Sequence, residues 1–266
     1  MHSLPQEFLA LCRHLGDVQK RCSATVAAQA AQIEALQAQV LRLRAEVIVR
    51  DTRLAMAQDA LAVMQGLGFV RFAVLAHDRG ARVAHRLAAD HPQAVDRLML
   101  LDIAPTLAMY TQTSEAFARA YWHWFFLIQP PPLPEALIAS DPVRYVRSVM
   151  GARHAGLSAF DAAALAEYER CAALPGTATS ICEDYRASAT IDLEHDRADV
   201  AAGRLLSMPL HVLWGEHGAV GRCFDVLPLW RQRADHVSGH SLPCGHYLAE
   251  EMPEAVLAEA LNFFKP

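Results

Sequence analysis

The sequence predicts an α/β fold, in which a parallel sheet covered by helices follows a long N-terminal helix. Two observations lead to this prediction. Neither glycine nor proline occurs between Asp17 and Gln65, in a stretch rich in Ala, Gln, Leu and Arg, and such a stretch favours continuous helix. After Gly66 the pattern changes to short, wholly apolar runs that alternate with helical stretches, which is typical of buried parallel strands.

The composition excludes several classes of protein. The 266 residues are 53% hydrophobic and carry a formal net charge of −5, so there is room for a core but no electrostatic case for binding nucleic acid or an anionic membrane. No apolar run is long enough for a membrane span, and the N-terminal segment lacks a secretory pattern. Six scattered cysteines without a CxxC pair indicate reduced thiols. We therefore expect a cytoplasmic protein without a metal site.

The N-terminal helix contains a seven-residue apolar repeat. One repeat position holds Val26, Ile33, Val40, Val47, Leu54 and Leu61, and the intermediate position holds Leu36, Leu43, Ala57 and Met64. β-branched residues at the first position with leucine at the second favour a parallel two-stranded coiled coil. We assign residues 1–53 to this coiled-coil-like segment and expect a homodimer formed through residues 24–50. The alternative is an amphipathic helix that packs on its own domain.

Residues 54–266 contain the elements of the α/β domain. The predicted strands are Phe72–Ala76, Leu98–Leu101, Leu210–Trp214 and a weaker run between Asp235 and Leu242. Helices are predicted at Arg79–Asp90, near Phe224–Ala234 and at Glu254–Phe264. The mostly helical insertion at about 107–205 follows the carboxyl end of the second strand, where a cap over an active site is expected.

The first strand leads directly into Ala76-His77-Asp78-Arg79-Gly80, and a helix follows. A strand-turn-helix with small residues on both sides of a nucleophile is the elbow of hydrolases, here with Asp78 where serine is usual. The small residues suit a tight turn, and the helix N-terminus favours an ionised carboxylate. A carboxylate nucleophile suits displacement at a saturated carbon, because the resulting ester can be hydrolysed. The alternative for Asp78 alone is an ordinary helix cap.

Two further residues occur in the chain order that this chemistry needs. Asp102 ends the second strand, and His246 follows the last strand. Nucleophile, acid and then histidine is the order expected of such a sheet, in which His246 activates water and Asp102 orients its imidazole. Glu216, after the third strand, is a rival for the acid role. Taken singly, Asp102 could be a loop carboxylate and His246 a helix cap.

Several segments together carry a family resemblance. They are HDRGARVAHR at 77–86, DHP at 90–92, LLDIAPT at 100–106, ARAYWHWFFL at 118–127, CEDYRASATIDLEHDRAD at 182–199 and HVLWGEHG at 211–218. From about Leu54 to Phe264 the chain resembles the fluoroacetate (haloacetate) dehalogenases of the α/β-hydrolase superfamily. The resemblance implies a partial α/β-hydrolase parallel sheet with a helical cap, and it implies that no cofactor is needed.

The resemblance also implies residue roles. Asp78 matches the nucleophile, Asp102 the triad acid and His246 the base. Arg79 and Arg82 match the pair that holds the substrate carboxylate, as guanidinium groups can. The halide pocket is matched by His123, Trp124 and Tyr185, whose N–H and O–H donors would stabilise the departing halide. Related haloalkane dehalogenases and epoxide hydrolases normally carry Trp in place of Arg79.

One part of the family pattern is missing from this sequence. Further strands and a His-Gly-x-Pro loop, which supplies one oxyanion donor, should precede the nucleophile strand, but His217-Gly218 follows the third strand. We interpret the chain as a fusion or truncation of a dehalogenase gene. We expect Phe72–Ala76 to lie at a sheet edge. We also expect impaired activity, because losing one oxyanion donor slows such a step about 10²–10³-fold.

The primary hypothesis is hydrolytic dehalogenation of a small haloacid to a 2-hydroxy acid and halide through an ester on Asp78. The haloacid is the expected small-molecule partner. A second hypothesis is a non-catalytic coiled-coil interaction protein with a vestigial hydrolase domain. A third is another superfamily member, such as an epoxide hydrolase, against which Arg79 argues.

Overall fold

The computed structural model describes residues 20–21, 23–36 and 53–265, and the chain divides into two units, Met1–Val47 and Ile48–Pro266. In the first unit the described residues are helical and exposed. The repeat residues Val26, Ile33 and Leu36 are each more than half exposed. The middle of the predicted repeat lies outside the described residues. The coiled coil and the homodimer therefore stay predictions.

The C-terminal part of the predicted repeat belongs to the second unit. Helix α1 (Arg53–Gly66) packs against helix α2 (Asp78–Asp90), with Ala57 fully buried and Leu61 against the core. For these residues the alternative of a helix packed on its own domain is the observed arrangement. The domain boundary expected after residue 53 also lies inside this unit. The Arg53 side chain is buried in the unit, and its Nε lies 2.9 Å from Asp192 Oδ2.

The sheet has four parallel strands in chain order: β1 (Phe72–His77), β2 (Val95–Leu101), β3 (Leu210–Gly215) and β4 (Val237–Leu242). All four coincide with the predicted runs, which confirms the α/β class. Within the described residues β1 pairs with β2 alone, so the expected edge position of this strand is confirmed.

The strands differ in burial as their positions require. Residues 98–101 of β2 are completely buried, because helices cover both faces of the sheet there. In β1 burial alternates along the strand, and Leu75 keeps 44% of its surface exposed. The apolar run of β1 is therefore covered on one face by the described part of the chain.

The insertion between β2 and β3 is helical, as expected of a cap. It contains α3 (Thr106–Thr111), α4 (Glu115–Ala120), α5 (Trp122–Leu127), α6 (Leu133–Ser140), α7 (Pro142–Gly151), the 3₁₀ helix Gly156–Ala159, α8 (Ala162–Ala172), α9 (Thr177–Ala189) and α10 (Ile191–Ala201). Local sequence sets several of its starts. Asp141 and Asp161, for example, accept hydrogen bonds from backbone N–H groups in the first turns of α7 and α8, as N-cap residues do.

Four helices complete the unit: α11 (Ala219–Cys223), α12 (Val226–Arg231), α13 (Leu248–Glu251) and α14 (Pro253–Phe263). A second, smaller core forms where Met99, Leu101 and Leu213 pack with Leu248 and Val256. This packing holds the segment after β4, which carries His246, against the carboxyl ends of the strands. None of the helices in the described ranges is long and apolar enough to cross a membrane.

Candidate active site

Two aspartates lie in strained turns at the carboxyl ends of neighbouring strands. Asp78 directly follows β1 and begins α2, and its φ angle is 47°. Asp102 directly follows β2 with a φ angle of 49°. Asp is one of the few residues besides glycine that enter the left-handed region, and strain of this kind concentrates at functional sites. The turn at Asp78 has the strand-to-helix form that the elbow motif predicts.

A small residue was expected at Gly80 because the turn is tight, but the described residues leave room for a side chain there. A Cβ atom at this position would meet none of the atoms described within 4 Å. The space beside the turn is open because β1 is the edge strand in the described part of the chain. A close approach of backbones is found instead at Gly215, where a Cβ would collide with the carbonyl group of Gly245.

His246 joins the two aspartates. Its Nδ1 lies 2.6 Å from Asp102 Oδ2, and its Nε2 lies 3.3 Å from Asp78 Oδ2. The Asp102 side chain is fully buried and also accepts a hydrogen bond of 3.0 Å from the Gly215 N–H. Glu216, the rival for the acid role, is exposed. Geometry therefore favours Asp102 as the partner of the imidazole.

Charge within this trio perturbs its pKa values. Burial opposes the imidazolium of His246, but the hydrogen bonds and charges of Asp102 and Asp78 raise its pKa to about 9. Burial alone would raise the pKa of Asp78, whereas the hydrogen bond and charge of His246 hold it well below its usual range. Asp78 is therefore ionised near pH 7, as a carboxylate nucleophile must be.

The loop that carries His246 is held on both sides. His77 Nε2 lies 2.8 Å from the His246 carbonyl oxygen. Glu251 accepts hydrogen bonds from the N–H groups of Gly245 and Tyr247, at 2.7 and 3.1 Å. These contacts orient the imidazole without using its ring nitrogens.

The two arginines of the elbow helix have different partners. The Arg79 guanidinium makes a bidentate pair with Asp184, at 2.6 and 2.5 Å, and lies 4.7 Å from the centre of the Tyr185 ring. Burial lowers its pKa, but Asp184 more than offsets this and keeps Arg79 charged. The charge of Arg79 is thus neutralised by a carboxylate that sequence reasoning did not anticipate.

Arg82 is buried without a carboxylate partner. Its Nη1 donates to the Ala104 carbonyl and to Thr106 Oγ1, at 3.2 and 2.8 Å, and its Nε makes no hydrogen bond. Burial and the nearby Arg79 charge lower its pKa to about 10, so the group remains a cation at pH 7. A buried cation with spare donors is a suitable site for an anion.

The three residues matched to the halide pocket lie together. The His123 and Tyr185 rings are 5.9 Å apart, and those of Trp124 and Tyr185 are 6.2 Å apart. Burial and the charge of Arg153 lower the pKa of His123 to about 3, so its imidazole is neutral. Trp124 Nε1 is buried and has no hydrogen-bond partner in the described structure. It is an N–H donor with spare capacity, as a halide-binding group needs.

A cavity of 580 Å³ adjoins the trio. It is lined mainly by apolar side chains of α7, α8 and α9, together with His77 and Tyr247. The rings of both of these residues contact His246, at 4.7 and 4.9 Å. His246 itself does not line the cavity, and the rings of His77 and Tyr247 lie between them.

Sequence reasoning missed several residues of this site. Asp184 binds Arg79, Thr106 binds Arg82, and the Tyr121 hydroxyl lies 3.5 Å from His246 Nδ1. Arg153 lies 4.6 Å from the Tyr121 ring. All four residues are in the cap, where the helix packing and not the spacing along the chain decides which side chains meet. The available signal was that Asp184, Thr106 and Tyr121 lie inside segments already singled out.

Comparisons with known proteins agree with this geometry. The family model of the alpha/beta hydrolase fold matches residues 48–253. Fluoroacetate dehalogenase of Burkholderia sp. is 40% identical over 201 residues, which cover 75% of this chain and 66% of that protein. This identity confirms the resemblance found in the sequence. The chain thus spans slightly less than two thirds of that relative.

Other relatives widen the range of activities. Soluble epoxide hydrolase of Corynebacterium sp. (strain C12) is 32% identical over 219 residues, covering 79% of this chain and 73% of that protein. The crystal structure of a proposed alpha/beta hydrolase from Nostoc sp. PCC 7120 superposes with a TM-score of 0.78 at 53% identity, covering 82% of this chain and 74% of that one. On its fold, its family match and its relatives, the chain belongs to the alpha/beta hydrolase fold family.

Proposed function

We propose that the protein hydrolyses a small 2-haloacid to the 2-hydroxy acid and halide, through an ester formed on Asp78. The observation that carries the proposal is the Asp78–His246–Asp102 arrangement, next to a buried arginine without an anionic partner. The identity to fluoroacetate dehalogenase supports the substrate class. Among the described residues Arg82 forms no direct ion pair and interacts with Asp78 only through its charge, whereas a carboxylate substrate could pair with it directly.

Substrate binding uses the arginines and the three donors of the cap. Arg82 pairs with the substrate carboxylate through its unused donor. Arg79 is already paired with Asp184 and contributes less to the binding of this carboxylate. The halogen faces His123, Trp124 and Tyr185. Because His123 is neutral and Trp124 Nε1 is unpaired, these groups donate to the halide as its charge develops.

The reaction has two steps. An Asp78 oxygen attacks the substrate carbon, the carbon–halogen bond breaks with its electron pair on the halide, and an ester forms. Ester formation removes the Asp78 charge that helps to keep His246 protonated, so the imidazole can lose its proton to solvent. His246, oriented by Asp102, then takes a proton from water, and the hydroxide attacks the carbonyl carbon of the ester. The alkoxide of the 2-hydroxy acid leaves with the proton from His246, and Asp78, left as the carboxylic acid, releases its proton to solvent and is a carboxylate again.

The oxyanion of the second step has one identifiable donor in this chain. The backbone N–H of Arg79, the residue after the nucleophile, lies at the start of α2, where such a donor is expected. The sequence contains no His-Gly-x-Pro loop to provide the second.

Fluoride release from fluoroacetate tests the proposal. The wild-type protein should release fluoride, and Asp78→Asn should release none because an amide cannot form the ester. Asp59→Asn, at an exposed position of α1, is the matched control and should keep the wild-type rate. Equal silence of wild type and Asp78→Asn, with both correctly folded, would refute the catalytic proposal.

Two alternatives give different outcomes in the same experiments. An epoxide hydrolase, suggested by the Corynebacterium relative, would open an epoxide in an Asp78-dependent manner without releasing fluoride from fluoroacetate. A non-catalytic coiled-coil protein would turn over neither substrate and would be a dimer by light scattering. A monomeric mass would refute the predicted coiled coil without affecting the catalytic proposal.

A further inference from the structure

A second cluster of ligating side chains lies far from the Asp78 site. His211 is the second residue of β3, His240 lies on β4, and Glu259 projects from α14. One ligand atom from each residue lies within 4.8 Å of the other two. His211 is four residues before Gly215, which contacts Asp102, so the two sites are about 13 Å apart along the strand.

The sheet register brings the two histidines to one face. His211 is paired with Ser238, and His240 is two residues further along β4, so both side chains project on the side that α14 covers. Phe263, one helical turn after Glu259, stacks on the His211 ring at 5.2 Å. The cluster is therefore assembled from three elements that pack together.

The His211 ring is prepared to act as a ligand. Its Nδ1 lies 2.8 Å from Ser238 Oγ, and a partner at one ring nitrogen orients the other, as in many metal-bound histidines. The other nitrogen, Nε2, is buried, makes no hydrogen bond and faces Glu259. His211 itself is more than nine-tenths buried. This nitrogen lies 3.5 Å from Glu259 Oε2, which is long for a direct hydrogen bond, and it is oriented to ligate a cation shared with that carboxylate.

The distances fit a shared metal ion better than direct ion pairs. Glu259 Oε2 lies 3.5 Å from His211 Nε2, and Glu259 Oε1 lies 3.6 Å from His240 Nε2. Charge-assisted hydrogen bonds are about 2.7–2.9 Å long. By contrast, two ligands at about 2.0–2.1 Å from a tetrahedral zinc ion lie about 3.4 Å apart.

We propose that His211, His240 and Glu259 form a binding site for a divalent transition-metal ion of the zinc type. Two imidazoles and one carboxylate are ligands that suit zinc. Three protein ligands leave one tetrahedral position for water, on the side where His240 is half exposed. By joining α14 to β3 and β4, the bound ion stabilises the C-terminal part of the second unit.

Zinc titration of the untagged, metal-stripped protein tests the site. Calorimetry should show one equivalent bound, and Co²⁺ in its place should give the visible absorption of a four-coordinate site. Zinc at a hundredfold its dissociation constant should raise Tm by about 5 °C. His240→Ala and Glu259→Gln should each weaken binding at least tenfold and reduce this rise by half or more.

Control variants test whether zinc binds at this cluster and not at another histidine or at the Asp78 site. His236→Ala removes an exposed histidine close to β4 and should keep both the binding and the Tm rise. Asp78→Asn should also bind zinc normally, since the two sites are separate. His240→Ala is the main variant because His240 is half exposed and its loss leaves the core intact. No binding by the wild type, or binding unchanged in His240→Ala and Glu259→Gln, would overturn the proposal.

Discussion

The two sides of Asp78 are built differently. On the closed side, which consists of Asp102, Gly215, Gly245 and His246, backbones meet so closely that a Cβ at Gly215 has no space, and the Asp102 side chain is fully buried. On the open side, which consists of β1 and the turn at Gly80, a Cβ has free space among the described atoms, and Asp78 keeps 31% of its side chain exposed.

This difference shows which part of the site the described chain builds by itself. The closed side contains His246, the Asp102 carboxylate that contacts it and the tight packing that fixes both, all supplied by β2, β3, β4 and the loops that follow. The open side coincides with the unpaired edge of β1. Preorganisation of the base is therefore complete, while the environment of the nucleophile is less confined. Four predictions test this comparison, in order of decreasing effect.

The largest effect is expected at the acid of the closed side. Asp102→Asn should lower kcat for fluoride release by about 10³–10⁴-fold, because an amide does not hold the imidazole in the required tautomer or stabilise its charge. Glu216→Gln, the matched change at the exposed rival, should alter kcat less than threefold. Steady-state kinetics on both variants checks this, and equal losses would contradict the assignment of Asp102.

The glycines test the packing difference directly. Gly215→Ala should cost about 3 kcal/mol of unfolding free energy, because the new Cβ collides with the Gly245 backbone and overpacking of this kind forces a backbone shift. Gly80→Ala should stabilise α2 by up to about 1 kcal/mol, since its Cβ meets no described atom. Urea denaturation measures both. A large destabilisation by Gly80→Ala would show that the open side is filled in solution.

Arginine variants test which of the two guanidinium groups binds the substrate carboxylate. Arg82→Met should raise KM for fluoroacetate by about 10²-fold, whereas Arg79→Met should raise it by about tenfold, because Asp184 already pairs with Arg79. Arg82→Met should not lower Tm, since it removes a buried charge without a carboxylate partner. A larger KM effect of Arg79→Met than of Arg82→Met would reverse the proposed roles.

The smallest effect is expected on the pKa of His246, which contacts Asp78. The His246 pKa is raised to about 9, partly by Asp78, so Asp78→Asn should lower it. Because the folded-state pKa exceeds the unfolded value, the stabilisation from His246 is fully present below about pH 6.5. It is lost as the pH rises through about 9. NMR titration of His246 and unfolding at pH 6 and 9 measure this, and an unchanged pKa in the variant would contradict the contact.

Much of the fold was predictable from local pattern. Apolar runs located β1, β2 and β3, because strands buried under helices need continuous hydrophobic residues, and a weaker run located β4. The edge position of β1 followed from the missing family segment. The repeat of the N-terminal helix was misleading near Leu54 and Leu61, because a heptad pattern and a helix packed on its own domain both need an apolar stripe. Only the packing of α1 on α2 separated the two.

The sequence predicted which residues belong to the site, but it did not predict all of the contacts between them. The chain order of Asp78, Asp102 and His246 indicated a triad, but it left Glu216 as a rival until the distance to His246 was known. The Arg79–Asp184 pair could not be foreseen, since its members are 105 residues apart, one at the start of α2 and the other in α9 of the cap.

By itself the sequence determined the α/β class, the strand positions, the elbow at Asp78 and the family, because all of these depend on local periodicity and on short motifs. The tertiary structure decided which carboxylate holds His246, which arginine stays unpaired, and that His211, His240 and Glu259 converge. The physical reason is that pairing and charge depend on which side chains packing brings within a few ångströms of each other. Spacing along the chain does not encode that distance.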